Sequence, residues 1–208
     1  MTDRDHTPAG AFEFSSENRA LAERILARYP EGRQASAILP LFDLAQRQCG
    51  GWLPRAAIEY VADYLGMPLI RVHEAATFYS MLNLQPVGRH FVQICRTTPC
   101  WLRGSDALTD TCRRVAGCEL GETSADGLFT LTEVECLGAC CNAPMVQIND
   151  NYYEDLTPES LEAILEALKR GEVPPSGSQT GRRGSEPVGG LTTLTERAGG
   201  AATEAAED

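Results

Sequence analysis

The sequence has no run of 18 apolar residues, so nothing in it predicts a transmembrane helix. Residues 1–19 lack the apolar segment of a secretory leader, and we therefore expect a cytoplasmic protein whose thiols stay reduced. Basic residues are scarce as well: 18 Lys and Arg face 29 Asp and Glu, which gives a net charge of −11. Such a surface repels a phosphate backbone, and this argues against nucleic-acid binding.

Several motifs for cofactors and catalysis are missing too. The sequence contains neither a Gly-rich dinucleotide motif nor a P-loop. It has only three histidines, which lie apart from one another, so a Rieske centre with two histidine ligands and a catalytic Cys–His or Ser–His–Asp set are not predicted. Without a Cys-x-x-Cys motif, a thioredoxin-type redox pair is disfavoured. We therefore expect no substrate site in this chain.

Cysteine, in contrast, is abundant, and four of the eight cysteines form two spaced pairs. Cys95 and Cys100 have four residues between them, whereas Cys136 and Cys140 have three, and each pair follows a predicted strand. A [2Fe–2S] cluster needs two thiolates on each of its two irons, which two such loops can supply. A plant-type ferredoxin would need a further cysteine at position 103, where the sequence has Arg103.

The spacing alone leaves alternatives open. A structural zinc site with four cysteines accepts spacings of two to four residues, and a chain without any metal is also compatible. The spacing would also permit Cys141, in place of Cys140, as the partner of Cys136. Adjacent cysteines point in different directions, so only one of the two is expected to be a ligand. The remaining cysteines are interpreted as packing residues: Cys49, Cys112 and Cys118.

The hydrophobic pattern predicts an α+β chain with four segments. Residues 1–14 are expected to be disordered, and the helical periodicity of 15–84 predicts a small helical bundle. In 85–172, strands and helices alternate, which predicts a compact α/β domain with helices flanking a sheet. Gly, Pro, Ser and Thr dominate 173–208, so this part is expected to be an extended tail.

Capping and turn residues give the bounds of the individual elements. The predicted strands are Phe91–Cys95, Leu128–Glu135, Met145–Ile148 and a short one at Tyr152–Tyr153. The predicted helices are Glu17–Tyr29 capped by Ser16, one from Ser36 to the glycines at 50–51, Pro54–Leu65, one after Pro68, one from the cap Ser105 to Gly117, and one from Thr157 to Gly171.

Three segments, Pro68–Leu82, His90–Ser105 and Cys136–Asn149, closely resemble the thioredoxin-like [2Fe–2S] subunit of the NADH-dehydrogenase module of respiratory complex I. The resemblance extends over about 14–195. It implies that the helical bundle precedes a thioredoxin-like [2Fe–2S] ferredoxin domain, and that Cys141 is not a ligand. The cluster ligands that it implies are Cys95, Cys100, Cys136 and Cys140.

The resemblance also implies a function, namely that of an electron-transfer subunit of a proton-translocating NADH:quinone oxidoreductase. Its cluster would exchange single electrons with FMN on a partner flavoprotein subunit that oxidises NADH, and the N-terminal helices would help to clasp that partner. A large iron–sulfur subunit would be the second partner. The complex would place the chain, without membrane insertion of its own, at the cytoplasmic face of the inner membrane.

Two alternative functions remain at this point. Related subunits serve soluble NAD-linked hydrogenases and formate dehydrogenases, and a zinc-stapled structural adaptor belongs to a different class. The segment Gly181–Thr195 looks like the extension of proteobacterial and mitochondrial complex I members, which favours the first interpretation. We expect 174–195 to be mobile in the free subunit and to become ordered on a partner, while 196–208 stays loose.

Overall fold

The computed structural model describes residues 12–182, 184, 192 and 193. It divides into two compact units between Arg89 and His90, slightly beyond the boundary expected after residue 84. The segment 174–195, which is expected to become ordered on a partner, lies beyond residue 182 outside the described part of the chain, apart from 184, 192 and 193. In the described residues, no helix has both the length and the apolar character that crossing a bilayer would require.

The first unit consists of four short helices around one apolar core. They are α1 (Ser16–Leu26), α2 (Ile38–Gln48), α3 (Arg55–Leu65) and α4 (Leu69–Phe78), and a 3-10 turn at Gln34–Ala37 leads into α2. Each helix buries the residues that its 3.6-residue period places on one face. The buried core includes Ala22, Leu41, Phe42, Ala45, Leu53, Ala57, Ile58, Val61, Val72 and Ala76.

The ends of these helices depart from the sequence expectations in three places. Ser15, and not Ser16, caps α1, because its side chain accepts a hydrogen bond from the N–H of Asn18. The same helix ends at Leu26 instead of Tyr29. Pro54 lies just before α3 in an extended conformation and does not occupy its first helical position.

Residues 12–14 are ordered, although the sequence suggested that the disordered N-terminus extends to residue 14. Phe14 is buried and packs edge-to-face against Tyr60 and Tyr64, with ring centroids 5.2 and 5.8 Å apart. Phe12 also packs on Tyr60 at 5.3 Å. Since aromatic rings bury a large apolar area, two of them suffice to hold this short segment on the bundle.

The second unit is built on a mixed five-stranded sheet with the order β2-β1-β3-β4-β5. Strand β1 is parallel to β2 and antiparallel to β3, while β4 is antiparallel to β3 and parallel to β5. The strands are β1 (His90–Cys95), β2 (Phe129–Val134), β3 (Val146–Ile148), β4 (Asn151–Glu154) and β5 (Gly177–Ser178).

Three helices accompany the sheet: α5 (Thr98–Leu102), α6 (Ser105–Ala116) and α7 (Pro158–Lys169). The apolar faces of α6 and α7 share a core with the strands, which includes Val92, Ile94, Leu108, Cys112, Phe129, Leu131, Val146, Tyr153, Leu161 and Leu165. Burial of Cys112 among these side chains agrees with its interpretation as a small hydrophobic residue.

The turns around these helices explain one wrong prediction and one missed element. Ser105 does not cap α6 with its side chain, because the preceding Gly104 takes a left-handed conformation (φ 93°) and occupies the cap position itself. Gly117 (φ 69°) ends the helix as predicted. The sequence suggested a loop between Cys95 and Cys100, but a single helical turn begins at Thr98, with Pro99 near its start.

The beginning of the predicted tail also belongs to the folded unit. Gly177 and Ser178 pair with Tyr153 and Glu154 as the fifth strand. The composition of this stretch predicted an extended tail, and that prediction is wrong for 177–182. Two residues of strand pairing need only two or three ladder bonds, and no apolar alternation is required to form them.

The sheet core gives a direct test of this architecture. Val92 is fully buried in β1, whereas Val173 is 80% exposed after α7. We expect Val92→Ala to lower the free energy of unfolding by about 2 kcal/mol, because it removes two buried methyl groups and leaves a cavity. Val173→Ala, the matched control, should change it by less than about 0.5 kcal/mol. Urea unfolding followed by circular dichroism measures both, and equal effects would contradict the placement of β1.

Candidate metal centre

The two cysteine loops leave the sheet at the same edge. Strands β1 and β2 are parallel, and Cys95 at the end of β1 lies opposite Val134 at the end of β2. Parallel neighbours present their carboxyl ends on one side, so the chains that follow them start next to each other. Cys136 comes two residues after Val134, and the second pair therefore begins beside the first.

The first pair, Cys95 and Cys100, is buried. The short helix α5 turns the chain back so that the two thiols contact each other. Burial is the largest cause that raises the pKa of Cys100 to about 12, and the contact with Cys95 is the second. Burial also raises the pKa of Cys95, but hydrogen bonds from Thr97 and from the backbone N–H of Leu137 outweigh it and leave this pKa below its usual value.

The second pair, Cys136 and Cys140, lies on the exposed side of the site, with 3.2 Å between the two Sγ atoms. The thiol of Cys140 and the backbone N–H of Gly138 donate to Cys136, and these hydrogen bonds lower its pKa. The hydrogen bond between the two thiols raises the pKa of Cys140. Gly138 has a left-handed conformation (φ 84°), which lets the chain turn tightly between the two cysteines.

The two pairs form one group. Charge on Cys140 raises the pKa of Cys100, and charge on Cys95 raises the pKa of Cys140. The hydroxyl of Thr97 is hydrogen-bonded to a sulfur of each pair, those of Cys95 and Cys136. A small apolar cluster surrounds the buried pair. It contains Ala143 and Met145, against which Leu137, Ala139 and Tyr152 pack.

The fifth cysteine of this region has a different partner. The thiol of Cys141 donates to the side-chain oxygen of Asn142 at 3.1 Å. Cys140 and Cys141 both belong to a 3-10 turn, Cys140–Asn142, in which successive side chains point in different directions. The turn thus gives the two adjacent cysteines separate environments.

The donor set consists of four thiols in two pairs. Within the described residues, no three side chains of His, Cys, Asp or Glu are grouped closely enough to hold a metal ion, and this applies to a mononuclear and to a binuclear centre alike. A zinc site would need four thiolates around one point, whereas a [2Fe–2S] cluster takes two thiolates at each iron. Two thiol pairs at one sheet edge match the second requirement.

Several groups around the sulfurs were not found by reasoning from the sequence. Backbone N–H groups of Leu137, Gly138 and Met145 donate to Cys95, Cys136 and Cys100, respectively. The hydroxyl of Tyr152 holds the second loop from β4 by donating to the carbonyl of Leu137 at 2.9 Å. No sequence signal marks these donors, because they depend on backbone direction and on a contact across the sheet.

Comparison with known proteins gives the family. The model of the thioredoxin-like [2Fe–2S] ferredoxins matches residues 22–169. This chain belongs to that family. The resemblance seen in the sequence is confirmed, together with the thioredoxin-like fold of the second unit and the presence of one [2Fe–2S] cluster.

Relatives within the family carry specific names. A subunit of the NADH-quinone oxidoreductase of Rickettsia bellii is 59% identical over 158 residues, which are 76% of this chain and 95% of the relative. The mitochondrial NADH dehydrogenase [ubiquinone] flavoprotein 2 of Dictyostelium discoideum is 48% identical over 192 residues, covering 92% of this chain and 76% of that protein.

A more distant likeness concerns a solved structure. The crystal structure of an NAD⁺-reducing [NiFe]-hydrogenase in its air-oxidised state matches with a TM-score of 0.55 and 19% identity. The match covers 62% of this chain and 23% of the hydrogenase chain. At this level of identity the likeness shows a shared fold over the matched part of the chain and nothing about activity.

Thr97 provides a test of the hydrogen bonds around the sulfurs. Its hydroxyl lies 3.5 Å from the sulfur of Cys95. A donor to sulfur stabilises the extra negative charge of the reduced cluster, so we expect Thr97→Val to lower the midpoint potential by an amount on the order of 20–40 mV. Redox titration of the full chain followed by electron paramagnetic resonance measures this shift.

The matched control for Thr97→Val is Thr111→Val. The hydroxyl of Thr111 donates to the carbonyl of Ala107 within α6, at 3.0 Å. Thr111→Val makes the same chemical change at a site away from the sulfurs and should leave the midpoint potential unchanged. Identical potentials for the wild type and Thr97→Val would show that this hydroxyl has no effect on the cluster.

Proposed function

We propose that this chain is the electron-transfer subunit of an NADH:quinone oxidoreductase and that Cys95, Cys100, Cys136 and Cys140 hold its [2Fe–2S] cluster. One observation carries the proposal: two thiol pairs leave one sheet edge, in a chain that is 59% identical over most of its length to a subunit of an NADH-quinone oxidoreductase. Neither the geometry nor the similarity would be sufficient alone, since hydrogenase chains share the fold.

The residues around the site have separate tasks in this function. The bound cluster supplies a one-electron centre. The four thiolates hold it, and the N–H and O–H donors fix the sulfurs and stabilise negative charge on them. The apolar side chains of Met145 and Ala143 exclude water behind the buried pair. Cys136 and Cys140 remain on the accessible side, where a partner can approach.

The partners follow from the same proposal. FMN and NADH bind to a flavoprotein subunit, which exchanges single electrons with the cluster, and a large iron–sulfur subunit completes the module. Large apolar side chains lie exposed on the first unit, among them Ile70, Phe78 and Met81. Exposed apolar groups of this size are typical of interfaces, so we assign this surface to the flavoprotein. The chain then lies peripherally at the cytoplasmic face of the inner membrane.

The alternative function is that of a [2Fe–2S] diaphorase subunit in a soluble NAD-linked hydrogenase or formate dehydrogenase, and the hydrogenase likeness, which concerns the fold alone, does not distinguish it from the first. The two functions share the cluster and its exchange with a flavin. They differ in the larger assembly, which is therefore the property to measure. A zinc-stapled adaptor is not favoured, because the family to which the chain belongs carries a [2Fe–2S] cluster.

Substitution of single cysteines tests the ligand set. We expect Cys95→Ser, Cys100→Ser, Cys136→Ser and Cys140→Ser each to abolish the visible absorption of the purified chain, because each removes one of four thiolates. Cys141→Ser is the matched control and should retain the absorption, since its thiol contacts Asn142. Loss of the cluster in Cys141→Ser together with its retention in Cys140→Ser would reverse the assignment.

Purification of the assembled complex distinguishes the parent enzymes. A tagged chain should copurify with an FMN-containing NADH-oxidising subunit and with membrane-embedded subunits, whereas a nickel-containing partner would support the hydrogenase alternative. Phe78→Glu places a charge on a side chain that is 79% exposed and should weaken copurification while the absorption stays normal. Val173→Glu, at a comparably exposed site, is the control, and equal yields for the two variants would rule out the proposed surface.

A further inference from the structure

The start of the C-terminal tail is attached to the second unit next to one of the cysteine loops. After β5, the chain turns so that the N–H of Arg182 donates to the hydroxyl of Ser178 at 3.1 Å. The guanidinium of Arg182 then reaches two acceptors, the carboxylate of Asp155 at 3.3 Å and the carbonyl of Cys141 at 3.0 Å. A segment that lies 41 residues beyond Cys141 thus contacts its backbone.

Asp155 is the centre of these contacts. Its carboxylate accepts hydrogen bonds from Ser178 at 2.6 Å and from the side-chain amide of Asn142 at 2.8 Å, in addition to the one from Arg182. Burial raises the pKa of Asp155, but these donors and the positive charge of Arg182 outweigh it and hold the pKa below its ordinary value. The carboxylate is therefore charged and fully engaged near neutral pH.

The same contacts end at the turn that carries Cys140. Asn142 is buried at the end of this turn, and its side chain joins Asp155 to the thiol of Cys141. The N–H of Asp155 also donates to the carbonyl of Asn142 at 2.8 Å. Arg182 therefore holds the turn Cys140–Asn142 through the carbonyl of Cys141, and Asp155 holds it through the side chain of Asn142.

Burial distinguishes this arrangement from an ordinary surface ion pair. The side chains of Arg182 and Asp155 are 25% and 7% exposed, whereas those of Arg170 and Glu172, a pair of the same type in the same unit, are 59% and 60% exposed. An exposed pair contributes little, because water and salt screen it. Charge-assisted hydrogen bonds that are shielded from water contribute more, and each is worth about a factor of ten in an opening equilibrium.

We propose that residues 177–182 form a latch that holds the turn Cys140–Asn142 closed against the [2Fe–2S] cluster. Arg182 and Asp155 act in it as positioning residues. The proposal rests on the ligand role assigned above to Cys140. Opening of the turn would withdraw one ligand and admit small molecules to the iron. The latch then sets the rate at which an assembled cluster is lost, and the first part of the tail has a role at the metal centre.

Loss of the cluster to an iron chelator measures this role directly. In the full chain with its cluster, Arg182→Met removes both guanidinium contacts at nearly constant volume, and we expect bleaching of the visible absorption to be roughly a hundredfold faster than in the wild type. Arg182→Lys can reach one acceptor but not both, so its rate should be intermediate. Arg170→Met is the matched control and should bleach at the wild-type rate.

Two further measurements separate this role from a general loss of stability. A chain that ends at Gly184 retains every latch contact and should behave as the wild type, whereas a chain that ends at Ser176 also loses the Ser178 contact and should bleach at least as fast as Arg182→Met. Electron paramagnetic resonance of the reduced cluster should show altered g values or broadened lines in Arg182→Met and unchanged ones in Arg170→Met. A purely structural contact would lower the thermal midpoint without changing these spectra.

Equal bleaching rates for the wild type and Arg182→Met, with identical spectra, would overturn the proposal. If Arg182→Met does not fold, Ser178→Ala carries the test, because it removes the 2.6 Å contact to Asp155 from an edge strand. It too should bleach faster, and a wild-type rate would count against the latch. The ligand assignment is judged by whether a cluster forms at all, so its failure is distinct from a failure of the latch.

Discussion

The parallel pairing of β1 with β2 is the constraint on which the metal centre depends. Because Cys95 lies opposite Val134, the loops that follow the two strands begin at neighbouring points. An antiparallel pairing would put the second loop at the other end of a six-residue strand, about 20 Å away. No side-chain adjustment could then bring the two thiol pairs together. The crossover between the strands, which contains α6, is therefore as necessary to the site as the cysteines are.

The two thiol pairs have unequal surroundings, and this inequality has structural causes. Cys95 and Cys100 are buried because one ends a central strand and the other sits in the helical turn that covers it. Cys136 and Cys140 follow an edge strand, so their loop has no such cover and relies on side-chain contacts. Tyr152 holds the first half of this loop at Leu137. The contacts of Asp155 hold its second half.

The sequence predicted what depends on near neighbours and missed what depends on distant ones. Cysteine spacing and strand–helix alternation are local, and they were enough to predict the α+β organisation, whereas the thioredoxin-like domain was implied by the family resemblance. The strand β5 was missed because its pairing with Tyr153 joins residues 24 positions apart and leaves no apolar pattern in a Gly- and Pro-rich stretch. Ser105 was predicted to be the N-cap because a serine before a helix often is one, but in the structure Gly104, in a left-handed conformation, occupies the N-cap position.

Cys141 shows what the cysteine spacing can predict about the ligands and what only the structure adds. Counting residues cannot choose between Cys140 and Cys141, since both lie at acceptable distances from Cys136. In the structure, the sulfur of Cys140 lies 3.2 Å from that of Cys136, while the thiol of Cys141 donates to Asn142. Asn142 in turn donates to Asp155, so Cys141 belongs to the contacts that fasten the turn. Its task is that of a hydrogen-bond donor, which a hydroxyl can perform as well as a thiol. In the proposed assignment, the two adjacent cysteines therefore serve one loop in different ways, Cys140 toward the cluster and Cys141 toward the latch.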